Sequence, residues 1–496
     1  MNSNAARCLS VFFLSTFCNP FSQALADTCA KLETNLRSEF AIQGQALPRF
    51  TLDDHLKKYR LPGVSIAVLD HGKITCAKGY GVKELGQPEP ITPDTLFLAG
   101  SVSKPMAALG ALYLVDQGLI QLDEDVNHYL KSWKIPENEF TTKEKVTLRR
   151  LLSHSAGLTI HGFPGYERGS SIPSLIDILK GTKPLVNTDA VVVDTIPGTK
   201  WRYSGGGYTV VQLLIQDVTG EAFGPWMKKT ILDPLGMKDS TFENPLPSLL
   251  HSRAATGYGQ GGKEVKGKWH VYPENAAAGL WTTPSDLLKA ILYIQQAHQD
   301  DKKRVKLLST KIIREMLTVQ KDKSGLGPLL RPSPGFLTFS HGGVDEGFLT
   351  SWTGVIQKDQ PQNYRGFVIM LNSLASEGPL MGEIEASISD TYSWKNQSVQ
   401  WRTLSKDASK IDFQPFIGKY KPEKGHLVIQ IFEKDHHLYF QDNFMPAPME
   451  LLPQGENHFF ALAGADIRFG FKDKKVAEIG VKFPNQSKED VFPKSE

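Results

Sequence analysis

The stretch LAGSVSKPMAALGALYLVDQGL over 98–119 carries no charge between Pro105 and Val115. A helix built from it is apolar on every face, so it belongs inside a large domain and not on a surface. The chain can enclose such a helix: its 496 residues allow one large domain and a small one, each with its own core. At the head of the stretch stand Ser101 and Lys104, three positions apart. If the helix begins there, hydroxyl and amine share one side near its N-terminus.

Composition narrows the class of partner. Lys plus Arg number 56 against 53 Asp plus Glu, a formal charge of +3 that is near neutrality on a surface of this size. A nucleic-acid partner needs a basic excess or a dense basic stripe, and the richest run, DDKKRVK at 300–306, is a short mixed-charge segment.

Residues 1–26 read as a secretory signal peptide. One positive charge in MNSNAAR precedes the apolar run CLSVFFLSTF, and Ala24-Leu25-Ala26 supplies small residues at −3 and −1 of a cleavage site before Asp27. That core is short for a membrane span of roughly 20 residues, and no later segment replaces it, so stable membrane insertion is not expected. Of the four cysteines, Cys8 and Cys18 leave with the signal. Cys29 and Cys76 then either form one disulfide in an oxidising compartment or remain thiols, because sequence does not supply their separation. No C-x-x-C, H-E-x-x-H or tight His/Asp cluster occurs, so no metal site and no cofactor is expected.

The periodicity divides the chain into strands, helices and strands again. A helix is expected over 52–60, then a hairpin of VSIAVLD (64–70) and KITCAKGYGV (73–82) turning at His71-Gly72. The first of these strands is nearly continuous in apolar residues and therefore central. Helical patterns fill 148–158, 171–181, 206–220, 225–236 and 285–297, with an exposed loop at 257–268. Strands return at 349–357 and 365–372, followed by a helix over 379–394. This order predicts an α/β (α+β) fold: one antiparallel sheet flanked by helices, with an inserted helical lobe and a cleft between lobe and sheet as the binding site. Past Trp401 the texture changes to short alternating runs separated by turn residues, an antiparallel meander or small barrel. The expected boundaries are 1–26 signal, 27–395 main domain, 396–407 linker and 408–496 C-terminal β domain.

Three segments carry chemistry. In Ser101-Val102-Ser103-Lys104, a partly desolvated lysine can take the serine proton and make the hydroxyl a nucleophile, although the tetrapeptide alone also describes a Ser N-cap with a lysine in the first turn. In Trp201-Arg202-Tyr203-Ser204-Gly205-Gly206-Gly207-Tyr208, the glycines let backbone approach a ligand and the phenol of Tyr203 can carry a proton to a leaving group; the alternative is a flexible turn with packed aromatics. In Ser340-His341-Gly342-Gly343-Val344, paired glycines at the start of an edge strand can turn backbone N–H groups to a substrate oxygen, and His341 can hydrogen-bond substrate or the tyrosine, or be a turn residue.

Taken together and in this order, these segments resemble the serine beta-lactamase/penicillin-binding-protein superfamily, in its class C beta-lactamase/D-Ala-D-Ala carboxypeptidase/esterase branch. The resemblance covers about residues 45–395 and includes LIQLDEDVNHYL (119–130), LRRLLSHSAGL (148–158), PGTKWRYSGGGY (197–208), ILDPLGM (231–237) and AAAGLWTTPSDL (276–287). It implies Ser101 as acylated nucleophile, Lys104 as its activating partner, Tyr203 as proton relay, His341 in place of the family lysine, and the N–H groups of Ser101 and Val344 as oxyanion hole. Gly205, Gly342 and Gly343 then line the substrate side. The implied activity is an exported serine hydrolase, located in the bacterial periplasm or outside the cell, acting on D-amino-acid-containing peptides, amides or esters, peptidoglycan-derived ones included. The alternatives are a beta-lactamase and a non-catalytic penicillin- or peptidoglycan-fragment-binding protein. Two departures bear on substrate: Gly205 lacks the amide of the family asparagine, and a histidine is mostly neutral at pH 7 where a lysine is charged, which ranks penicillins below neutral esters.

Overall fold

The computed structural model describes residues 28–299, 307–375, 379–394, 399–422, 427–443, 445, 448–462, 464–483 and 488–495. The signal peptide expected over 1–26 and the charged run at 300–306 lie outside the described residues.

The main sheet has six strands: β1 (Gly63–Asp70), β2 (Lys73–Gly81), β3 (Leu329–Ser333), β4 (Phe336–Asp345), β5 (Phe348–Gln357) and β6 (Arg365–Leu371). Their spatial order is β2-β1-β6-β5-β4-β3, and every neighbouring pair is antiparallel. Strands from the two ends of the sequence therefore close one sheet. The register explains the nearly unbroken apolar run of β1. Ala67 and Leu69 point into one core with Val368 and Met370 of β6, while Val64, Ile66 and Val68 point into another with Phe367 and Ile369. A strand buried on both faces has no polar face to alternate.

Four helices set the layers: α1 (Ser103–Asp116), α2 (Gly205–Thr219), α3 (Pro284–Gln299) and α4 (Pro379–Thr391). Leu287, Ile291 and Ile294 of α3 cover the first face of the sheet, and the same core continues without a break through α1 and α2 into the lobe. Leu380, Ile384 and Ile388 of α4 cover the other face together with Leu52 and Leu56 of the short helix Leu52–Lys58. The lobe is thus part of the main domain. Helix α1 is buried around its whole circumference, as its charge-free sequence requires. Cys29 and Cys76 are joined in a disulfide that ties the first described residues to β2.

The C-terminal strands run from Gly418–Tyr420 to Asp490–Pro493, each pairing antiparallel with the next. The row nearly closes on itself: Tyr420 bridges to Lys494, the Lys421 N–H donates to the Pro493 carbonyl at 3.1 Å, and the Ser495 N–H donates to Lys419 at 2.8 Å. The result is a near-barrel, which lies toward the small-barrel end of the expected meander or small barrel. Phe416, Phe440, Phe459, Phe469 and Ile479 form its core, separate from the two cores that flank the sheet. In the stretch read as a linker, Gln400–Arg402 forms a strand parallel to Phe40–Ile42, and Arg402 pairs with Asp466 of the barrel at 3.0 Å.

Candidate active site

Ser101 lies in the single 3-10 turn Gly100–Val102 that leads straight into α1. The turn is pinned from behind. Ala99 donates its N–H to the Leu280 carbonyl at 2.9 Å, and the Leu280 N–H donates to Ser103 Oγ at 3.0 Å. One turn on, Lys104 is 2 % exposed, and its Nζ is hydrogen-bonded to Ser101 Oγ at 2.9 Å and to the Ala277 carbonyl at 2.8 Å. Ala277 belongs to the short helix Asn275–Ala278. Burial pushes the Lys104 amine down to about 7, against the opposing pull of Asp345. At that value a large fraction is neutral near pH 7 and able to accept a proton.

Tyr203 directly precedes the N-cap of α2, Ser204, whose hydroxyl accepts from the Gly207 N–H at 2.9 Å. Its ring stands 4.9 Å from Lys104 Nζ, and its hydroxyl faces Ser101. Burial raises the phenol above its ordinary value, and the contact with Ser101 partly offsets this. Tyr203 therefore stays protonated at neutral pH and is a donor.

His341, Gly342 and Gly343 lie inside the ten-residue strand β4, not at its start. Strand β3 pairs with β4 only as far as Ser340, so the rest of that side of β4 is open. The turn Glu346-Gly347 makes Asp345 and Phe348 the closing hydrogen-bonded pair, and by alternation Val344, opposite Leu349, points its N–H away from β5 to the open side. The Gly100–Ser101 turn occupies that side. A Cβ on Gly100, whose φ is +53°, would come within 2.6 Å of Val344 N, and a Cβ on Gly343 would overlap the Ala99 carbonyl oxygen. Both positions need glycine for the strand and the turn to approach this closely. The amides of Ser101 and Val344 are thereby neighbours, while the Val344 side chain is solvent-exposed.

Imidazoles surround the phenol. His341 is buried, its Nδ1 donates to the Gly342 carbonyl at 2.6 Å, and its ring centroid is 6.0 Å from that of Tyr203. It is bonded to its own neighbour and not to the tyrosine. Burial and the adjacent Lys104 push it down to about 3, so it is neutral across the physiological range. His154 stacks on Tyr203 at 4.2 Å, and the exposed His161 tilts against it at 4.9 Å. Burial and Lys104 lower both of these as well.

Gly205 sits beneath the segment that carries His161. Its N–H donates to the His161 carbonyl at 2.9 Å, and a Cβ there would stand 3.0 Å from that oxygen and 3.1 Å from the Phe163 ring. The space of the missing asparagine is filled by this loop. Two buried acids complete the surroundings: Asp345 follows His341 and Gly343 on the inward face of β4, and Glu274 adjoins the helix holding Ala277. Burial raises both, Glu274 to about 8.

Ser101, Lys104, Tyr203, His341, Gly205, Gly343 and the Val344 amide thus converge, with Gly342 beside them on β4. His154, His161, Asp345 and Glu274 were not singled out in the sequence. Asp345 shares the strand parity of His341 and Gly343, a signal available once β4 is drawn; His161 has none, since only folding of the 159–163 loop over α2 brings it near Tyr203.

The family model Beta-lactamase matches residues 49–386. Protein flp of Staphylococcus aureus (strain MRSA252) is 28% identical over 240 residues, 47% of this chain and 44% of that protein. The chain thus spans under half the length of the curated relatives it matches first. Among solved structures, the octameric penicillin-binding protein homologue from Pyrococcus abyssi superposes with a TM-score of 0.59 at 20% identity, over 89% of this chain and 98% of that one. A class C beta-lactamase gives 0.54 at 20% identity, over 77% and 99%. The sheet, the lobe and the matched profile agree, and the chain belongs to the beta-lactamase family.

Proposed function

We propose that this chain is an exported serine hydrolase that forms an acyl-enzyme at Ser101 on D-amino-acid-containing peptides, amides or esters. The observation that carries this reading is the 2.9 Å contact between Ser101 Oγ and a buried Lys104 amine pushed down to about 7. In its neutral form Lys104 takes the Ser101 proton as Oγ bonds to the acyl carbon. Negative charge then develops on the acyl oxygen, where the N–H groups of Ser101 and Val344 stabilise it. Tyr203 gives its proton to the departing amine or alkoxide as the old acyl bond breaks, and Lys104 returns the proton to Tyr203. Water attacks the ester of Ser101 in the second half, passing its proton back through the same groups. Gly342, whose Cβ position is open, leaves room for substrate beside β4, Gly343 lets the Ser101 turn approach the strand, and Gly205 lies on the lobe side.

A neutral His341 offers no fixed charge to a substrate carboxylate, which favours uncharged acyl groups. Export is supported by the signal-like N-terminus and by the Cys29–Cys76 disulfide, a bond suited to an oxidising compartment such as the periplasm. The barrel, with a core of its own, is read as a domain beginning near residue 408.

The test is intact-mass analysis after incubation with a fluorophosphonate and with a D-aminoacyl ester. Wild-type protein should gain one adduct, and Ser101→Ala should gain none while keeping its circular dichroism. An adduct of equal yield in the variant moves the nucleophile elsewhere. No adduct on either protein favours a binding function.

A further inference from the structure

The residues on either side of Tyr203 are held by one and the same histidine. The His154 carbonyl accepts from the Arg202 N–H at 2.8 Å, and His154 Nδ1 accepts from the Ser204 N–H at 3.1 Å. Between those two bonds its ring stacks on Tyr203, with centroids 4.2 Å and planes 28° apart. His154 thus grips three consecutive residues of a segment roughly fifty positions away in sequence.

We propose that His154 is the positioning residue that aims the Tyr203 hydroxyl at Ser101 and Lys104; this rests on Tyr203 being the proton relay. The stretch LRRLLSHSAGL that contains it bears on the family resemblance, but the mechanism above assigns its histidine no part. Three observations support a specific role. First, its φ of +57° lies in the left-handed region, which few residues other than glycine adopt and where histidine, like Asn and Asp, is among the better tolerated, so this position combines an uncommon backbone with a ring. Second, the accepting Nδ1 puts the ring proton on Nε2, a buried atom with no hydrogen-bond partner among the described residues. Burying an unpartnered donor is unfavourable, and a residue chosen for packing alone would not carry one. Third, no other side chain supplies both contacts from this position: phenylalanine stacks but cannot accept, and asparagine accepts but cannot stack. The groups facing the ring are Lys104, His161, His341 and the rings of Trp201, Tyr203 and Tyr208.

The test compares His154→Ala, His154→Asn and His154→Phe in the full chain, with Tyr203→Phe as reference, by kcat and KM on a neutral D-aminoacyl ester. His154→Ala should lower kcat by about a hundredfold, the effect of displacing a reacting group by roughly 1 Å, with KM within about threefold of wild type. His154→Asn keeps the acceptor and tolerates the backbone, and His154→Phe keeps the stack; each should recover about tenfold of that loss. In a Tyr203→Phe background, His154→Ala should add little, because the group it aims is gone. Three variants with wild-type kcat beside a crippled Tyr203→Phe overturn the proposal. So does an undiminished effect of His154→Ala in the Tyr203→Phe background, or loss of the fold in all three as read by circular dichroism, either of which makes the role purely structural. A harmless Tyr203→Phe is a different result, which removes the relay reading itself and the positioning role with it.

Discussion

Lys104 Nζ lies 2.9 Å from Ser101 Oγ and 2.8 Å from the Ala277 carbonyl, so a neutral amine can donate to the carbonyl and keep its lone pair for the serine proton. The carbonyl comes from the lobe and the serine from the turn before α1. The amine therefore ties the helix Asn275–Ala278 to the turn that carries Ser101.

Activity should rise with pH through about 7, because the base form of Lys104 exists above its lowered value and is lost below it. His341, already neutral above about 3, should add no inflection near pH 6.5. Lys104→Arg and Lys104→Ala should each lower kcat/KM by about 10²–10⁴-fold, since arginine keeps the charge but is not a base. A pH–rate profile of wild type and variants checks this; Lys104→Arg with most of its acylation rate would exclude the base role.

The same amine carries a stability penalty whose sign can be stated. Its folded pKa lies below the unfolded value, so the folded state binds fewer protons between about 7 and 10.5 and stability from this group rises with pH across that window. Lys104→Met should therefore raise stability by about 1–2 kcal/mol at pH 6, with the gain shrinking toward pH 10, while activity is lost. Denaturant titrations at the two pH values measure the difference.

Gly343→Ala should slow acylation severely while leaving a folded protein. The new methyl overlaps the Ala99 carbonyl and pushes β4 from the Gly100–Ser101 turn, separating the two amides. Loss of one oxyanion donor costs about 10²–10³ in rate. Burst-phase acylation measures it, with circular dichroism to show that the fold is kept.

Neutral D-aminoacyl esters should be acylated faster than penicillins, compared by acylation efficiency so that slow deacylation does not intrude. Restoring family residues one at a time should not reverse this. An asparagine at Gly205 meets His161 and Phe163, a misfit expected to cost about 1–3 kcal/mol, and a lysine at His341 buries a second amine beside Lys104. Faster penicillin acylation by wild type than by any neutral ester tested would remove Gly205 and His341 from the account of specificity.

A chain ending at residue 407 should remain folded and keep the Cys29–Cys76 disulfide, because the sheet's two cores contain no barrel residue. It loses the Arg402–Asp466 pair, a partly exposed contact worth about 0–1 kcal/mol. Circular dichroism and thermal melting decide this, and an unfolded product would make the barrel part of the main core.

Most of the elements, and the placing of Ser101 beside Lys104, were legible in the chain itself. Unbroken apolar runs located β1 and α1, and hydrophobic periodicity located β2, β5, β6 and the other three principal helices, each of which buries a face whose spacing is fixed by backbone geometry. Spacing alone put Ser101 and Lys104 on one side of the turn that opens into α1. What sequence could not supply was distance between segments remote in the chain. The glycines of β4 read as the start of an edge strand, and only the pairing of the ten-residue strand with β5 points the Val344 N–H toward the Ser101 turn. The disulfide depended on a separation that Cys29 and Cys76 acquire when the N-terminal segment packs against β2. The depression of Lys104 and His341 likewise follows from burial, a property of the assembled core and not of either residue. Local order is written in residue type and period; the charge state of the site and the identity of its neighbours arise when lobe, sheet and the loop over Gly205 exclude water together.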